Sequence, residues 1–225
     1  LSSVSKLAEL TASALLRGAR GNSGVILSLL FRGFSKSVRG KDELDAMEFA
    51  QAMGEGVEAA YKAVMKPAEG TILTVSRVSA AAAMQSASAN TSIEDCLAQT
   101  IEAAKTALAE TTNQNPTLKK AGVIDAGGKG YLYILESMLA ALNGELYDRS
   151  AIGTATHDKA DFSAFDDADI IFTYCTEFIV SRENKKDPSK LRQFLSELGD
   201  SIVVVDDDEI IKVHVHTDHP GMAIE

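Results

Sequence analysis

Apolar side chains recur at three- and four-residue steps along most of the first 143 residues, and then stop doing so. Leu44, Met47, Ala50, Met53, Val57, Ala60, Tyr61 and Val64 follow this rhythm. So do Ile93, Leu97, Ile101, Ala104 and Leu108, and again Tyr131, Leu135, Met138 and Leu142. A period near 3.6 residues lines each set along one face of an α-helix, and such a face must be buried against other elements. Breaks fall at Gly18–Gly24, Gly40, Pro67–Gly70, Asn113–Pro116 and Gly122–Gly130, where the residue types end helices or turn the chain. From Ser79 to Ala89 nearly every side chain is Ala, Ser or Met, small enough for helices to approach closely. The pattern predicts a multi-helix domain, a packed barrel or bundle, over residues 1–143.

The texture changes after Asn143. Residues 144–168 carry glycine, scattered acids and little periodicity, and read as a linker; His157 within it is assigned no role. Beyond it come an apolar run (Ile170–Val180) and a helical pattern (Leu191, Phe194, Leu195, Leu198). Two strand-like runs follow, Ser201–Val205 and Ile210–His216, with Asp206–Glu209 as the turn between them. This β-α-β-β order predicts a small α/β sandwich over residues 169–225 with helices on one face. Pro220–Gly221 opens a further helix close to Glu225, so the module reads as incomplete at its C-terminus. The expected fold class is mainly α followed by α+β.

Composition excludes several functions. The formal charge is -10, and no stripe of Lys and Arg is interleaved with aromatics. Nucleic-acid binding draws most of its affinity from neutralising phosphates, so that role is disfavoured. No apolar run approaches the ~20 residues of a membrane span. Leu1–Leu10 lacks the basic-then-apolar order of a signal peptide. The two cysteines, Cys96 and Cys175, lie in unlike contexts, which speaks against a disulfide framework and for a reducing, cytoplasmic setting.

Two glycine-rich stretches stand immediately before helical patterns. Gly18-Ala-Arg-Gly-Asn-Ser-Gly24 reads either as a phosphate cradle, in which Asn22 or Ser23 caps the next helix, or as a plain capped turn. Gly122-Val-Ile-Asp-Ala-Gly-Gly-Lys-Gly130 is of the same kind. There Asp125 is a candidate acceptor for a ribose or a backbone amide, and Gly127 and Gly128 permit close approach. Thr71, in Glu69-Gly-Thr-Ile-Leu-Thr-Val-Ser76, is placed to cap a third helix. Neither stretch is a Walker A or dinucleotide fingerprint, and each alone is open to a structural explanation. Both in one helical domain can converge on one ligand.

A second cluster lies in the α/β module. Alternation in Lys212-Val-His-Val-His-Thr-Asp218 puts His214 and His216 on one strand face, about 7 Å apart. Cys175 and Glu177 likewise share a face of another strand. If the faces meet, Cys175, His214 and His216 are three ligands suited to zinc, with Glu177, Asp218, His219 or water as the fourth. Two other readings stay open: an exposed His-Val-His strand beside a core cysteine, and a reactive Cys–His pair.

Taken together, Gly18-Ala-Arg-Gly-Asn-Ser-Gly-Val-Ile-Leu27, Glu69-Gly-Thr-Ile-Leu-Thr-Val75 and Gly122-Val-Ile-Asp-Ala-Gly-Gly-Lys-Gly130 occur in an order and spacing that resembles the ATP-binding subunit of bacterial fatty acid kinase. The N-terminal domain of that subunit is similar to the nucleotide-binding L domain of dihydroxyacetone kinases. The resemblance covers essentially the whole chain. It implies an antiparallel eight-helix barrel with ATP at one end. Gly21, Asn22, Ser23 and Gly24 would contact phosphates, Thr71 would lie nearby, and Asp125, Gly127 and Gly128 would help enclose the nucleotide. It further implies a zinc site at Cys175, His214 and His216. The implied activity is transfer of phosphate from ATP with Mg2+ to a fatty acid held by a separate carrier protein, giving acyl phosphate for phospholipid synthesis. A homodimer is expected. One departure matters: the family's Asp-Gly-Asp-Thr-Gly type loop, whose carboxylates hold magnesium, has no counterpart here. The catalytic carboxylates are therefore unassigned, and the expectation is that these 225 residues do not turn over alone. The domain that engages the carrier is also expected to lie outside them. Two alternatives are a kinase for a small hydroxyketone such as dihydroxyacetone, and a non-catalytic dimerisation or metal-binding module.

Overall fold

The computed structural model describes residues 3–88, 90–145 and 171–225. Seven helices precede residue 143 among the described residues: α1 (Val4–Gly18), α2 (Gly21–Ser37), α3 (Ala46–Ala63), α4 (Ile72–Ser86), α5 (Ile93–Gln114), α6 (Pro116–Ala121) and α7 (Ala126–Leu142). The three-and-four rhythm is visible in what they bury. Phe49, Ala50, Met53 and Ala60 of α3, and Leu97, Ile101, Ala104 and Leu108 of α5, face a common core. α4 carries most of the small-residue stretch and is fully buried over its first five residues, Ile72 to Ser76, with Ser76 and Ser79 satisfied by the carbonyls of Leu73 and Ser76. Sequence neighbours pack side by side from α1 to α5, and α7 closes against α4 and α5.

Local chemistry sets the ends. Asp45 and Glu48 form a reciprocal capping box at the start of α3, which satisfies two amides that the helix itself leaves unpaired. Asn115 caps α6 just ahead of Pro116, and Gly122 ends that helix at φ 68°, a left-handed turn that glycine makes without steric cost. α2 and α3 cross almost backbone to backbone. A Cβ on Gly33 would lie 2.4 Å from Glu55 O, and one on Gly56 would lie 2.5 Å from Leu30 O.

The remaining elements are β1 (Tyr174–Ser181), α8 (Ser189–Leu198), β2 (Gly199–Asp206), β3 (Ile210–Thr217) and α9 (Pro220–Ile224). This is the β-α-β-β order read from the sequence, with the further helix at Pro220. The strands form an antiparallel sheet ordered β1-β3-β2, with a bulge between Asp200 and Val203 where Ser201 takes φ 52°. Asp207 N donates to Ile210 O and closes the β2–β3 turn. The anticipated linker and the start of the apolar run at Ile170 fall largely in residues 146–170, outside the described residues, and so does His157.

Both sheet faces are covered. Ile202, Val204, Val213 and Val215 pack with Leu195 of α8 and Ala223 of α9. On the opposite face Val203, Val205 and Ile210 belong to the same apolar cluster as the helices, and Val64 bridges Val203 as an isolated strand pair. The acidic turn is tied to the helices by Arg32–Asp207 (3.0 Å) and Arg17–Glu209 (2.8 Å). The sheet face that bears Cys175, Glu177, Lys212, His214 and His216 is thereby turned toward the α1–α2 turn.

Candidate nucleotide cleft and Cys/His/His centre

The first turns of α2, α4 and α7 meet at a cleft of about 340 Å³, lined by Asn22, Ser23, Thr71 and Asp125 on the helical side. Free amides and the dipole at a helix start favour an anion, and three such starts open on one space. The chain is shorter in its turns than the sequence pattern predicts. α1 runs to Gly18 and α2 starts at Gly21, so Asn22, Ser23 and Gly24 belong to the first helical turn. Neither Asn22 nor Ser23 is the cap; Arg20 holds that position without a side-chain bond. The expectation of an Asn22 or Ser23 cap is corrected accordingly. The side chains are left free for other work, and Asn22 Oδ1 is buried with no hydrogen-bond partner.

Thr71 does cap α4, accepting from Leu73 N at 3.3 Å. Its position is fixed by Glu69, which accepts from Thr74, Arg77 and Tyr61. Burial pulls the Glu69 carboxyl up, but those bonds outweigh it and hold the group below its ordinary value. Gly70, at φ 72°, packs so closely on α5 that a Cβ would lie 2.8 Å from Asn115 N. The Glu-Gly-Thr sequence is thus a small scaffold for the start of α4, and the role of Glu69 was not read from the sequence.

Asp125 caps α7 through Gly128 N at 2.6 Å. Burial raises its carboxyl above the ordinary range, opposed by the amides of Gly128 and of Ile72 in α4. One carboxylate therefore ties together two of the three helix starts. Gly127 is the contact between the first turns of α7 and α2: a Cβ there would lie 2.6 Å from Ser23 Oγ. Gly128 turns inward against Val75 and Leu108, and Gly24 backs onto Ala19; both serve packing. Gly21, at φ 64°, has its amide already engaged, donating to Glu177 Oε1 at 2.7 Å. The far wall of the cleft is built by the α/β module, from Ser196 and the Gly199–Val203 segment.

The second cluster assembles because β1 and β3 pair in register, Cys175 with His216 and Glu177 with His214. Donor atoms of Cys175, His214 and His216 all lie within 4.8 Å of one another. Sγ of Cys175 is 3.9 Å from His214 Nδ1, which is also 2.7 Å from Glu177 Oε1. His214 is fully buried, and its Nε2 has no partner. Burial pushes the His214 imidazole below its ordinary value, against the pull of Glu177, so it stays neutral and able to ligate a cation. Desolvation of the sulfur, with the Glu177 charge beside it, pushes the Cys175 thiol up. A self-activated thiolate needs the opposite shift. One thiol and two imidazoles are a donor set that suits zinc, and Asp200, 3.6 Å from His216 Nδ1, is placed to orient that ring. A zinc ion here would supply charge and a fixed four-donor geometry.

Lys212 was not foreseen. It is 1% exposed, and its Nζ donates to the carbonyls of Leu16 (3.1 Å) and Ala19 (2.6 Å) at the end of α1. Strand alternation puts Lys212 on the face of His214 and His216, but its partners in α1 lie 193 and 196 residues away.

Two family models match separate parts of the chain. Residues 1–140 match the model of the DAK2 domain, and residues 171–225 match that of the middle domain of FakA-like fatty acid kinase proteins. An uncharacterized protein of Staphylococcus epidermidis is 46% identical over 97% of this chain, and protein YloV of Bacillus subtilis is 44% identical over the same share. An uncharacterized protein of Staphylococcus aureus is 45% identical, again over 97%. The chain spans 41% of the length of each of these relatives. With residues 1–140 matched, the chain belongs to the DAK2 domain family, and it carries behind that domain a segment of the FakA-like middle-domain type.

Proposed function

We propose that this chain is the ATP-binding part of a kinase that phosphorylates a fatty acid carboxylate presented by a separate carrier protein. The observation that carries this reading is the meeting of three helix starts at one cleft, whose wall also carries the buried, unpaired side-chain acceptor Asn22 Oδ1. Asn22 through its Nδ2 donors, Ser23 through its hydroxyl and the first-turn amides of α2 would bind phosphate oxygens, and Asn22 Oδ1 would accept from a donor group of the ligand. Thr71 and Asp125 would bound the nucleotide, and Gly127 would let the α7 turn close on it. The protein's work is then positioning and charge stabilisation rather than covalent chemistry. Mg2+ would bridge and neutralise the phosphates, as phosphoryl transfer requires. A zinc ion would sit at Cys175, His214 and His216.

Calorimetric titration of the chain with ADP, with and without Mg2+, tests the cleft. Saturable binding is expected, weakened about tenfold in Asn22→Ala, the equivalent of one hydrogen bond to a charged ligand. No binding to the unaltered chain rejects the reading.

The substrate is tested on the whole protein. Carrier-bound fatty acid is expected to trigger ATP consumption and dihydroxyacetone is not. The reverse pattern would assign the protein to the small-hydroxyketone kinases instead.

A further inference from the structure

One oxygen atom joins the two candidate sites. Glu177 Oε1 lies 2.7 Å from Gly21 N, at the start of α2, and 2.7 Å from His214 Nδ1. We propose that Glu177 is the fourth donor to a divalent cation held by Cys175, His214 and His216, and that through Gly21 it couples cation binding to nucleotide binding. The second half rests on the nucleotide reading above; the first does not.

The geometry supports the donor role. Tetrahedral zinc holds sulfur at ~2.3 Å and nitrogen or oxygen at ~2.0–2.2 Å, so its donors stand roughly 3–4 Å from one another. The 3.9 Å between Cys175 Sγ and His214 Nδ1 fits that spacing. The 2.7 Å between His214 Nδ1 and Glu177 Oε1 is a hydrogen-bond distance, shorter than the spacing between two donors to one ion. A cation that replaces the shared proton therefore pushes Oε1 away from Nδ1. The oxygen that moves is the acceptor of the Gly21 amide, and the motion is transmitted to the α1–α2 turn.

The sign of the coupling follows from charge. Without a cation, the Glu177 carboxylate occupies the Gly21 amide, one residue before the cleft-lining Asn22, and places a negative charge beside the start of α2. A divalent cation, with the Cys175 thiol proton released to solvent, neutralises both the thiolate and the carboxylate. The repulsion toward phosphate is removed and the Gly21 amide becomes available. Cation and nucleotide are therefore expected to favour each other, by about tenfold and reciprocally, as linkage requires. Glu177 in this role is a positioning residue; it touches neither the nucleotide nor a reacting atom.

The test uses the 225-residue chain. Zn2+ affinity is measured by calorimetry and by competition against Co2+, whose visible absorption reports thiolate ligation and four-coordination. ADP affinity is then measured with Zn2+ saturating and with a chelator present. Glu177→Gln keeps an acceptor for Gly21 but is a poor cation ligand. It is expected to lose at least about tenfold in Zn2+ affinity, to alter the Co2+ spectrum, and to abolish the difference between the two ADP affinities. Glu177→Asp keeps the charge on a shorter arm and should recover part of the Zn2+ affinity without the coupling. Circular dichroism establishes that each variant is folded. Zn2+ affinity unchanged in Glu177→Gln, or no Zn2+ binding to the unaltered chain, overturns the fourth-donor assignment. ADP binding that is indifferent to Zn2+ overturns the coupling. Absence of ADP binding in every state defeats the nucleotide reading and the coupling with it, while the Zn2+ comparison still decides the fourth donor.

Discussion

Lys212→Met lowers the unfolding free energy by about 2 kcal/mol. The lysine is fully buried, and its ammonium group satisfies two carbonyls, of Leu16 and Ala19, that α1 leaves open at its C-terminal end. Methionine fills similar volume but donates nothing, so the Leu16 carbonyl loses its partner, while the Ala19 carbonyl keeps the Arg20 guanidinium at 2.8 Å. A cation at a helix C-terminus also gains from the helix dipole, which the variant forfeits. Against this stands the cost of desolvating an ammonium group, which pushes the Lys212 amine below its ordinary value. That cost is relieved in the variant and offsets part of the loss. The unpaired Leu16 carbonyl and the forfeited charge at the helix end dominate, because that carbonyl stays in place whichever residue stands at 212. Thermal denaturation should show the apparent Tm falling by on the order of 5 °C. ADP affinity should fall with it, since the carbonyl of Ala19 lies two residues before the start of the phosphate turn. A Tm within a degree or two of the unaltered chain would mean that α1 ends equally well without this lysine.

Two glycines two residues apart in α3 should respond to alanine in opposite directions. Gly56→Ala places a methyl group 2.5 Å from Leu30 O, a backbone atom of α2 that cannot swing aside. Alanine gains about 1 kcal/mol in helix propensity over glycine. The forced separation of two packed helices costs typically ~1–3 kcal/mol and here sits at the upper end, because the obstacle is main chain. A net loss of about 2 kcal/mol is expected. Gly54→Ala meets nothing within 4 Å, keeps the propensity gain whole, and should stabilise by up to about 1 kcal/mol. Denaturant titrations of the two variants give the comparison directly. Equal shifts would show that the α2–α3 crossing opens freely. The consequence for the cleft is separate: α2 carries Asn22 and Ser23, so a displaced α2 in Gly56→Ala also weakens ADP.

The elements that the sequence made legible are those whose information is local. Helical periodicity located α3, α5 and α7, Thr71 stood out as a cap, and Asp125 as an acceptor for a ribose or a backbone amide, because their amide partners lie two or three residues ahead. Cys175, His214 and His216 could be grouped because strand alternation puts side chains on predictable faces, and the β1–β3 register then brought those faces together. The starts of α2 and α7 were misplaced by a few residues, since glycines that read as loop are tolerated within a first helical turn when close packing requires them. Gly127 against Ser23 shows why. The Glu177–Gly21 contact, the Lys212 bonds and the Gly33–Gly56 crossing were hidden for a different reason. The partner of Glu177 lies 156 residues away and that of Lys212 as far as 196, and no local pattern encodes so distant a contact. Glu69 is an intermediate case: its partners are within eight residues, yet they form a branched network rather than a periodic one.

The placement of Val203, Val205 and Ile210 within the helical core bears on how this molecule comes apart. A sheet that buried its apolar side chains only against α8 and α9 could open as an independent foldon and leave the helices intact. Here β2 and β3 contribute to both cores at once. Fraying the helices strips one face of the sheet, and opening the sheet exposes the flank of α2 and α3. The amide hydrogens of Val203–Val205 would then exchange only through the opening that also frees the buried middle of α4. Cooperativity of that kind links the cleft at the starts of α2, α4 and α7 to the Cys175, His214 and His216 group beyond the Glu177–Gly21 bond, because neither can loosen without the other.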